Sequence, residues 1–379
     1  FRSHGYISYQ TVIREAPMDR YEQLREMLDA NPAGAPKSKA FDEILRLLFT
    51  PGEVDVALAM SFRALPVGSI ARAAGLAEDE TLRRLEAMAD KADIFAKTGK
   101  DGKKTYGLVP TIPGLFEFPF MKGGGTPMHE RLAKLWEEYH GEALGAAFSG
   151  NPTPLMRVVP VGESLVPENR VHPYEEISSL IKNSRYLAVT KCACRVSVGK
   201  CDHEKEVCLI FDGAAEFLVE RGYARQIGVD EGLSVLERAE RDGLVHTSNN
   251  SADRASVVCN CCPCCCTVLR GMTELRHPHA FARSRFEARV DAVGCTGCAI
   301  CADERCPVGA ISMDSGAAVV NPENCIGCGL CVTGCPEKTI SLIERAGAEA
   351  VPANIQELGV KVLQEKGKLE GFMKLMQRS

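Results

Sequence analysis

Cysteine runs carry most of the chemistry that this sequence can do. Residues 295–336 read Cys295-Thr-Gly-Cys298-Ala-Ile-Cys301, Cys306-Pro307, Cys325-Ile-Gly-Cys328-Gly-Leu-Cys331 and Cys335-Pro336. Two CxxCxxC runs thus lie 30 residues apart, each followed by a Cys-Pro step. Thiolates are soft ligands suited to iron–sulfur clusters. Zinc sites more often use two separate CxxC pairs than a triple run. A second field lies upstream: Cys192-Ala-Cys194-Arg195, Cys201, Cys208, and Cys259-Asn260-Cys261-Cys262-Pro263-Cys264-Cys265-Cys266. Eighteen cysteines in 379 residues, grouped in triplets and doublets, read as metal ligands rather than disulfides and imply a reducing compartment.

In the upstream field, an extended backbone would turn alternate side chains to opposite faces. Cys261 and Cys265 would point one way, and Cys262, Cys264 and Cys266 the other. That ribbon could serve two centres, with Cys261 and Cys262 on different ones and Cys262 and Cys264 on the same one. Cys192 and Cys194 would share a face, with Cys201 and Cys208 following in reach of the same loop. Ten thiolates supply two [4Fe–4S] clusters with two left over, or one cluster and a less common site. The expectation is one or two further iron–sulfur clusters here. Arg195 beside the ligands is a cofactor-binding candidate, because positive charge tunes cluster potential; the alternative is a surface arginine. His246 is a candidate ligand or proton donor, the alternative being an ordinary packed histidine.

Residues 295–336 resemble a two-cluster bacterial ferredoxin. In that pattern three cysteines of a run hold one cubane and the fourth holds the other. The resemblance implies that Cys295, Cys298, Cys301 and Cys335 hold one [4Fe–4S] cluster, and Cys306, Cys325, Cys328 and Cys331 the second. One departure is that four residues, not three, separate Cys301 from Cys306, which lengthens a loop without removing a ligand. With the CxCR…CxCCxCCC field in front, roughly residues 40–345 resemble a family of multi-cluster 4Fe–4S proteins from anaerobic bacteria. That resemblance implies a redox partner, a larger oxidoreductase or flavoprotein, and a place as a complex subunit.

The elements that must position these thiols follow from periodicity. The expected class is α+β. Residues 1–36 form an N-terminal arm with a helix over Tyr21–Leu28. Residues 37–112 resemble a winged-helix domain: a helix from Ala40, a capping box at Thr50-Pro-Gly-Glu53, a helix over Ile70–Ala74 capped by Ser69, a helix over Glu78–Ala92, and a hairpin of 93–98 with 105–109. Residues 113–170 are a connecting helix and arm, with Phe116, Phe118, Phe120 and Met121 either packing as core or covering a neighbour. The cysteine-rich α/β domain spans 171–285, with helices over Glu175–Asn183, Ile210–Arg221 and Glu231–Arg241 and a strand over Tyr186–Thr190. The ferredoxin domain spans 286–345, and an amphipathic helix closes the chain over 346–379.

Composition narrows the function. A net charge of −5 points to no nucleic-acid partner, and the acidic excess of the Glu78–Ala92 helix opposes phosphate contact. No apolar run is long enough for a membrane span, and no signal-peptide pattern opens the sequence; a cytoplasmic location is expected. No GxSxG or dinucleotide fingerprint occurs. The reading is an iron–sulfur electron-transfer protein that is not itself catalytic. Two alternatives are a redox-sensing regulator working through the winged-helix-like part, and a catalytic open iron site in the central field.

Overall fold

The computed structural model describes residues 18–165, 172 and 175–377, so residues 1–17 of the expected arm lie outside the described part. The expected first helix runs Arg20–Asp29. Helices Lys39–Leu48, Pro51–Ala57, Val67–Ala74 and Glu78–Asp90 then pack on a three-stranded antiparallel sheet. Its strand order is Leu65–Pro66, Lys104–Leu108, Ile94–Thr98. The Thr50 capping box forms: Glu53 Oε2 accepts from the Thr50 N–H at 2.7 Å and Thr50 Oγ1 accepts from the Glu53 N–H. Ser69 is not a cap. Its helix starts two residues earlier, after Pro66, whose fixed φ of −70° suits an extended approach. Gly75 closes that helix in the left-handed region. Phe41, Ile44, Leu45, Val54, Leu85 and Met88 are fully buried between these elements.

Helix Pro127–Tyr139 locks this part to the chain that follows. Trp136 packs edge-on against Phe41 and Phe116, with ring centroids 6.0 and 5.3 Å away. The aromatic run 116–121 therefore serves as core and as cover at once, since Phe118 also meets Phe217 of the next domain.

The central domain is built on a six-stranded antiparallel sheet. Its order is Met156–Val158, Val245–Asn249, Val257–Cys261, Glu206–Phe211, Leu187–Lys191, Arg225–Gln226. Met156–Val158, read from the sequence as part of a connecting arm, is thus an edge strand. Ile210 and Phe211, read as the start of a helix, end a strand. The run Val207-Cys-Leu-Ile-Phe211 is buried throughout, which suits a central strand, and the helix begins only at Asp212. Helices Ile177–Asn183 and Val229–Arg241 cover one side.

The ferredoxin part has two antiparallel pairs, Phe286–Val290 with Ile340–Glu344 and Ile311–Asp314 with Ala317–Val320. The C-terminal stripe folds as two helices, Ile355–Glu365 and Leu369–Met376. Gly367, at φ +66°, turns the chain between them. They return to the N-terminal part, where Lys366 Nζ donates to Pro32 O at 2.7 Å and Lys368 pairs with Asp29 at 2.8 Å. Among the described residues, no helix is long and apolar enough to cross a membrane.

Candidate metal centres

In the ferredoxin part the eight cysteines fall into two groups of four. Cys295, Cys298, Cys301 and Cys335 line one small cavity. Cys306, Cys325, Cys328 and Cys331 line another. Each group draws three thiols from one run and one from the other. Gly297 and Gly327, inside the CxGC turns, take φ of +74° and +68°, a conformation that costs glycine little. A soft four-thiol set in a small apolar cavity fits a cubane at each place. The two differ in exposure: Cys298 is exposed, whereas Cys325, Cys328 and Cys331 are buried.

In the central domain the ten thiols divide six and four. The six form a closed ring of interacting neighbours: Cys192 beside Cys194 and Cys208, Cys194 beside Cys266, Cys266 beside Cys261, Cys261 beside Cys259, and Cys259 beside Cys208. The other four, Cys201, Cys262, Cys264 and Cys265, have all their sulfurs within 4.8 Å of one another. Cys201 Sγ lies 3.8 Å from Cys262 Sγ and 3.6 Å from Cys265 Sγ. A tetrahedral ion with metal–sulfur bonds of about 2.3 Å places its sulfurs about 3.8 Å apart. A cubane, by contrast, interposes four irons and four sulfides between its thiolates.

Backbone geometry explains the division and corrects the ribbon expectation. The alternation holds only as far as Cys261, the last residue of the strand. Cys259 and Cys261 share a face there, opposite Thr247 and Val245. Pro263–Cys265 then form a turn, which sends Cys265 back to Cys262 and Cys264. Cys266 caps helix Thr267–Thr273, its Sγ accepting from the Leu269 N–H, and so rejoins Cys261. Cys265 and Cys266 thus lie opposite to the faces that strict alternation assigns. Cys261 and Cys262 do fall in different groups, and Cys262 and Cys264 in the same one. Cys201 and Cys208 part company: a strand carries Cys208 into the ring, while Cys201 stays in the preceding loop.

Arg195 is not a surface residue; it is fully buried. Nη1 donates to Glu204 O at 2.5 Å and Nη2 donates to Asn260 O. Nε has no hydrogen-bond partner. Burial works against the charged guanidinium, but Cys192, Cys262 and Cys208 around it push its pKa up overall. These thiols come from both groups, so one buried cation stands between ring and tetrad. Burying a cation is costly without anionic company, and among the described ion pairs no carboxylate joins it. The thiols around it are the remaining source of counter-charge.

His246 is buried, and its Nδ1 lies 2.5 Å from Asn260 Oδ1. Burial pulls its pKa down. It belongs neither to the thiol tetrad nor to the wall of the ring's cavity. The pairing His246–Asn260 puts it on the sheet face away from Thr247 and Cys259.

Three residues at the ring escaped the sequence reading. Thr247 Oγ1 lies 3.5 Å from Cys261 Sγ, and Thr267 Oγ1 lies 3.7 Å from Cys194 Sγ. Glu117 lines the same cavity as the ring thiols. Only Glu117 had a legible signal, as a lone carboxyl between Phe116 and Phe118.

Comparison with known proteins bears on the C-terminal part. Residues 287–336 match the family described as 4Fe-4S dicluster domain. The chain is also similar to one component of the ion-translocating oxidoreductase complex of Methanosarcina acetivorans, at 40% identity over 68 residues. That match covers 17% of this chain and 25% of the relative, so this chain spans a quarter of the relative's length. The thiol groups and the family match together make residues 287–336 a part of ferredoxin type, with two four-cysteine sets suited to [4Fe–4S] clusters.

Proposed function

We propose that the chain is a subunit or dedicated partner of a larger oxidoreductase, taking electrons at the exposed end of its ferredoxin part and passing them inward to the central thiols. Cys295, Cys298, Cys301 and Cys335 hold the outer [4Fe–4S] cluster in this reading. Cys306, Cys325, Cys328 and Cys331 hold the inner one. The ring of six carries a further iron–sulfur centre, and the tetrad a single tetrahedral ion. Bound clusters supply reversible one-electron storage. The observation that carries the reading is one apolar cluster containing Cys328 of the ferredoxin part together with Cys261 and Cys266 of the ring. The Val161 N–H, donating to Cys328 O at 2.9 Å, ties the two parts at this point. The inner four-thiol group thereby abuts the ring, while Cys298 offers a partner protein an exposed entrance.

Iron and sulfide analysis of anaerobically purified protein tests this. About twelve irons or more per chain are expected, at about four per cubane. A value near eight would leave only the ferredoxin part loaded and overturn the central assignment. Sulfide accompanying a metal held by the tetrad would refute its single-ion reading.

The winged-helix-like part is better read as a docking module than as a DNA reader. Glu86 and Asp90 of helix Glu78–Asp90 pair with Arg221 of the central domain, and Tyr223 Oη donates to Asp90 O at 3.0 Å. The helix that would enter a groove is thus acidic and partly engaged within the chain. A mobility-shift assay at moderate salt, with metals in place, is expected to show no sequence-specific complex; a salt-resistant complex would revive the regulator.

A further inference from the structure

The central ring offers more thiols than one cubane uses. A [4Fe–4S] cubane takes about four thiolates, one per iron. Each ferredoxin cavity presents that number. The ring presents six, all on the wall of one cavity. None is turned away: each lies beside two others, and the circuit closes. A single cubane would leave two thiols unused that are placed like the four it binds.

The six divide by scaffold into two sets of three. Cys208, Cys259 and Cys261 stand on neighbouring strands, where Leu209 pairs with Val258. Cys192 and Cys266 directly precede helices Ala193–Val198 and Thr267–Thr273, and Cys194 lies in the first turn of the former. The sets meet at two edges, Cys192 beside Cys208 and Cys261 beside Cys266. Each set has one hydroxyl at a sulfur: Thr247 at Cys261 on the sheet side, and Thr267 at Cys194 on the helix side. Hydrogen bonds to sulfur help to set cluster potential, so each half carries its own lever. The edges face different neighbours. Arg195 lies beside Cys192 and Cys208, whereas Cys261 and Cys266 share an apolar cluster with Cys328 of the ferredoxin part.

Two separate cubanes need about eight thiolates. Fusing them lowers the number, because a thiolate that bridges one iron of each half replaces two terminal ligands. Two such bridges reduce the requirement by two, to the six thiols that the ring supplies. The ring also has two edges at which bridges can form. Space does not restrict it to one cubane: the ferredoxin sets enclose cavities of about 20 and 10 Å³, and the ring faces about 370 Å³. We propose that the six-thiol ring holds one fused centre of about eight irons, at about four per half, with one bridging thiolate at each edge where the two sets of three meet. The proposal rests on the reading of the ring as an iron–sulfur centre and assigns its size. A centre with two halves to reduce can take up two electrons that the ferredoxin part delivers singly.

Anaerobic native mass spectrometry of the full chain weighs the most fully loaded species, so partial loading does not disguise the count. About sixteen irons are expected, at about four per cubane or half, and about seventeen where the tetrad holds iron. About twelve or thirteen, at the same four per cubane, would mean a single cubane in the ring; that overturns the proposal and leaves the ring an iron–sulfur centre. About eight would overturn both readings, as would metal in the ring without sulfide. Alanine substitution gives a second count. Cys192→Ala, Cys194→Ala, Cys208→Ala, Cys259→Ala, Cys261→Ala and Cys266→Ala are each expected to lower the iron of the central domain while the ferredoxin part keeps about eight. A single cubane spares the two thiols it does not use, so two variants with unchanged iron and sulfide would overturn the fused centre.

Discussion

Arg195→Met is expected to strip the central domain of its metals while the ferredoxin part keeps about eight irons, at about four per cubane. The guanidinium is fully buried and surrounded by Cys192, Cys208 and Cys262. These residues belong to the ring and to the tetrad alike. Removing one partner from a buried charge arrangement costs about 3–5 kcal/mol, because the charges left behind stay desolvated. Here the charges left behind are thiolates, which can escape the penalty by binding protons instead of metal. Methionine fills similar volume, so the loss would report charge rather than a cavity. Arg195→Lys should fall between, since an ammonium keeps the charge but not the fork that reaches both Glu204 O and Asn260 O. Metal analysis alongside the thermal midpoint checks this. Full metal content in Arg195→Met would mean that the arginine is a structural strut for two carbonyls and nothing more.

Arg195 also illustrates what the sequence could and could not convey. Its place in CxCR made it a candidate, yet spacing alone left a surface arginine equally open. Its position between two thiol groups depends on the strand that carries Cys208 and on the return of Cys262, both long-range events. The ferredoxin part was far more legible. There the ligands are local, the CxxC turns are fixed by Gly297 and Gly327, and the two groups of four emerge from runs only 30 residues apart. In the N-terminal part a helix start was legible at the Thr50 capping box and a helix end at the left-handed Gly75. Failures cluster where a short apolar run is ambiguous between helix and strand, as at Ile210-Phe211. They also cluster where a turn interrupts alternation, as at Pro263. Pro263 opens the turn, and alternation does not survive it. Glu117 shows a third kind of limit: a single carboxyl acquires meaning only once the six-thiol wall lies across the cavity from it.

Gly327→Ala should have an effect out of proportion to one methyl group. Gly327 sits at φ +68° between Cys325 and Cys328, and a Cβ there would lie well inside van der Waals contact of Phe286 O and Ser284 Oγ. Neither neighbour can yield cheaply. Phe286 starts the strand paired with Ile340–Glu344. Ser284 Oγ donates to Gly327 O at 2.7 Å, while the Ser284 N–H donates to Ile326 O at 3.1 Å. Backbone on both sides of the contact is therefore fixed by hydrogen bonds, and the clash has to be relieved by moving the turn that presents Cys325 and Cys328. A loss on the order of 4 kcal/mol is expected, the upper range for a single substitution, together with loss of the inner cluster's irons. Gly309→Ala is the matched control. Gly309 is also left-handed, at φ +62°, but nothing lies within 4 Å of its hypothetical Cβ. Its cost should be only the backbone preference, about 1 kcal/mol, with iron content intact. Iron analysis and thermal midpoints of the two variants separate steric collapse from backbone strain. If both variants behave alike, the close approach of Ser284 and Phe286 is not what holds the inner group in place. If Gly327→Ala alone fails and electron delivery to the central thiols fails with it, the inner group is the link through which the ring is reached.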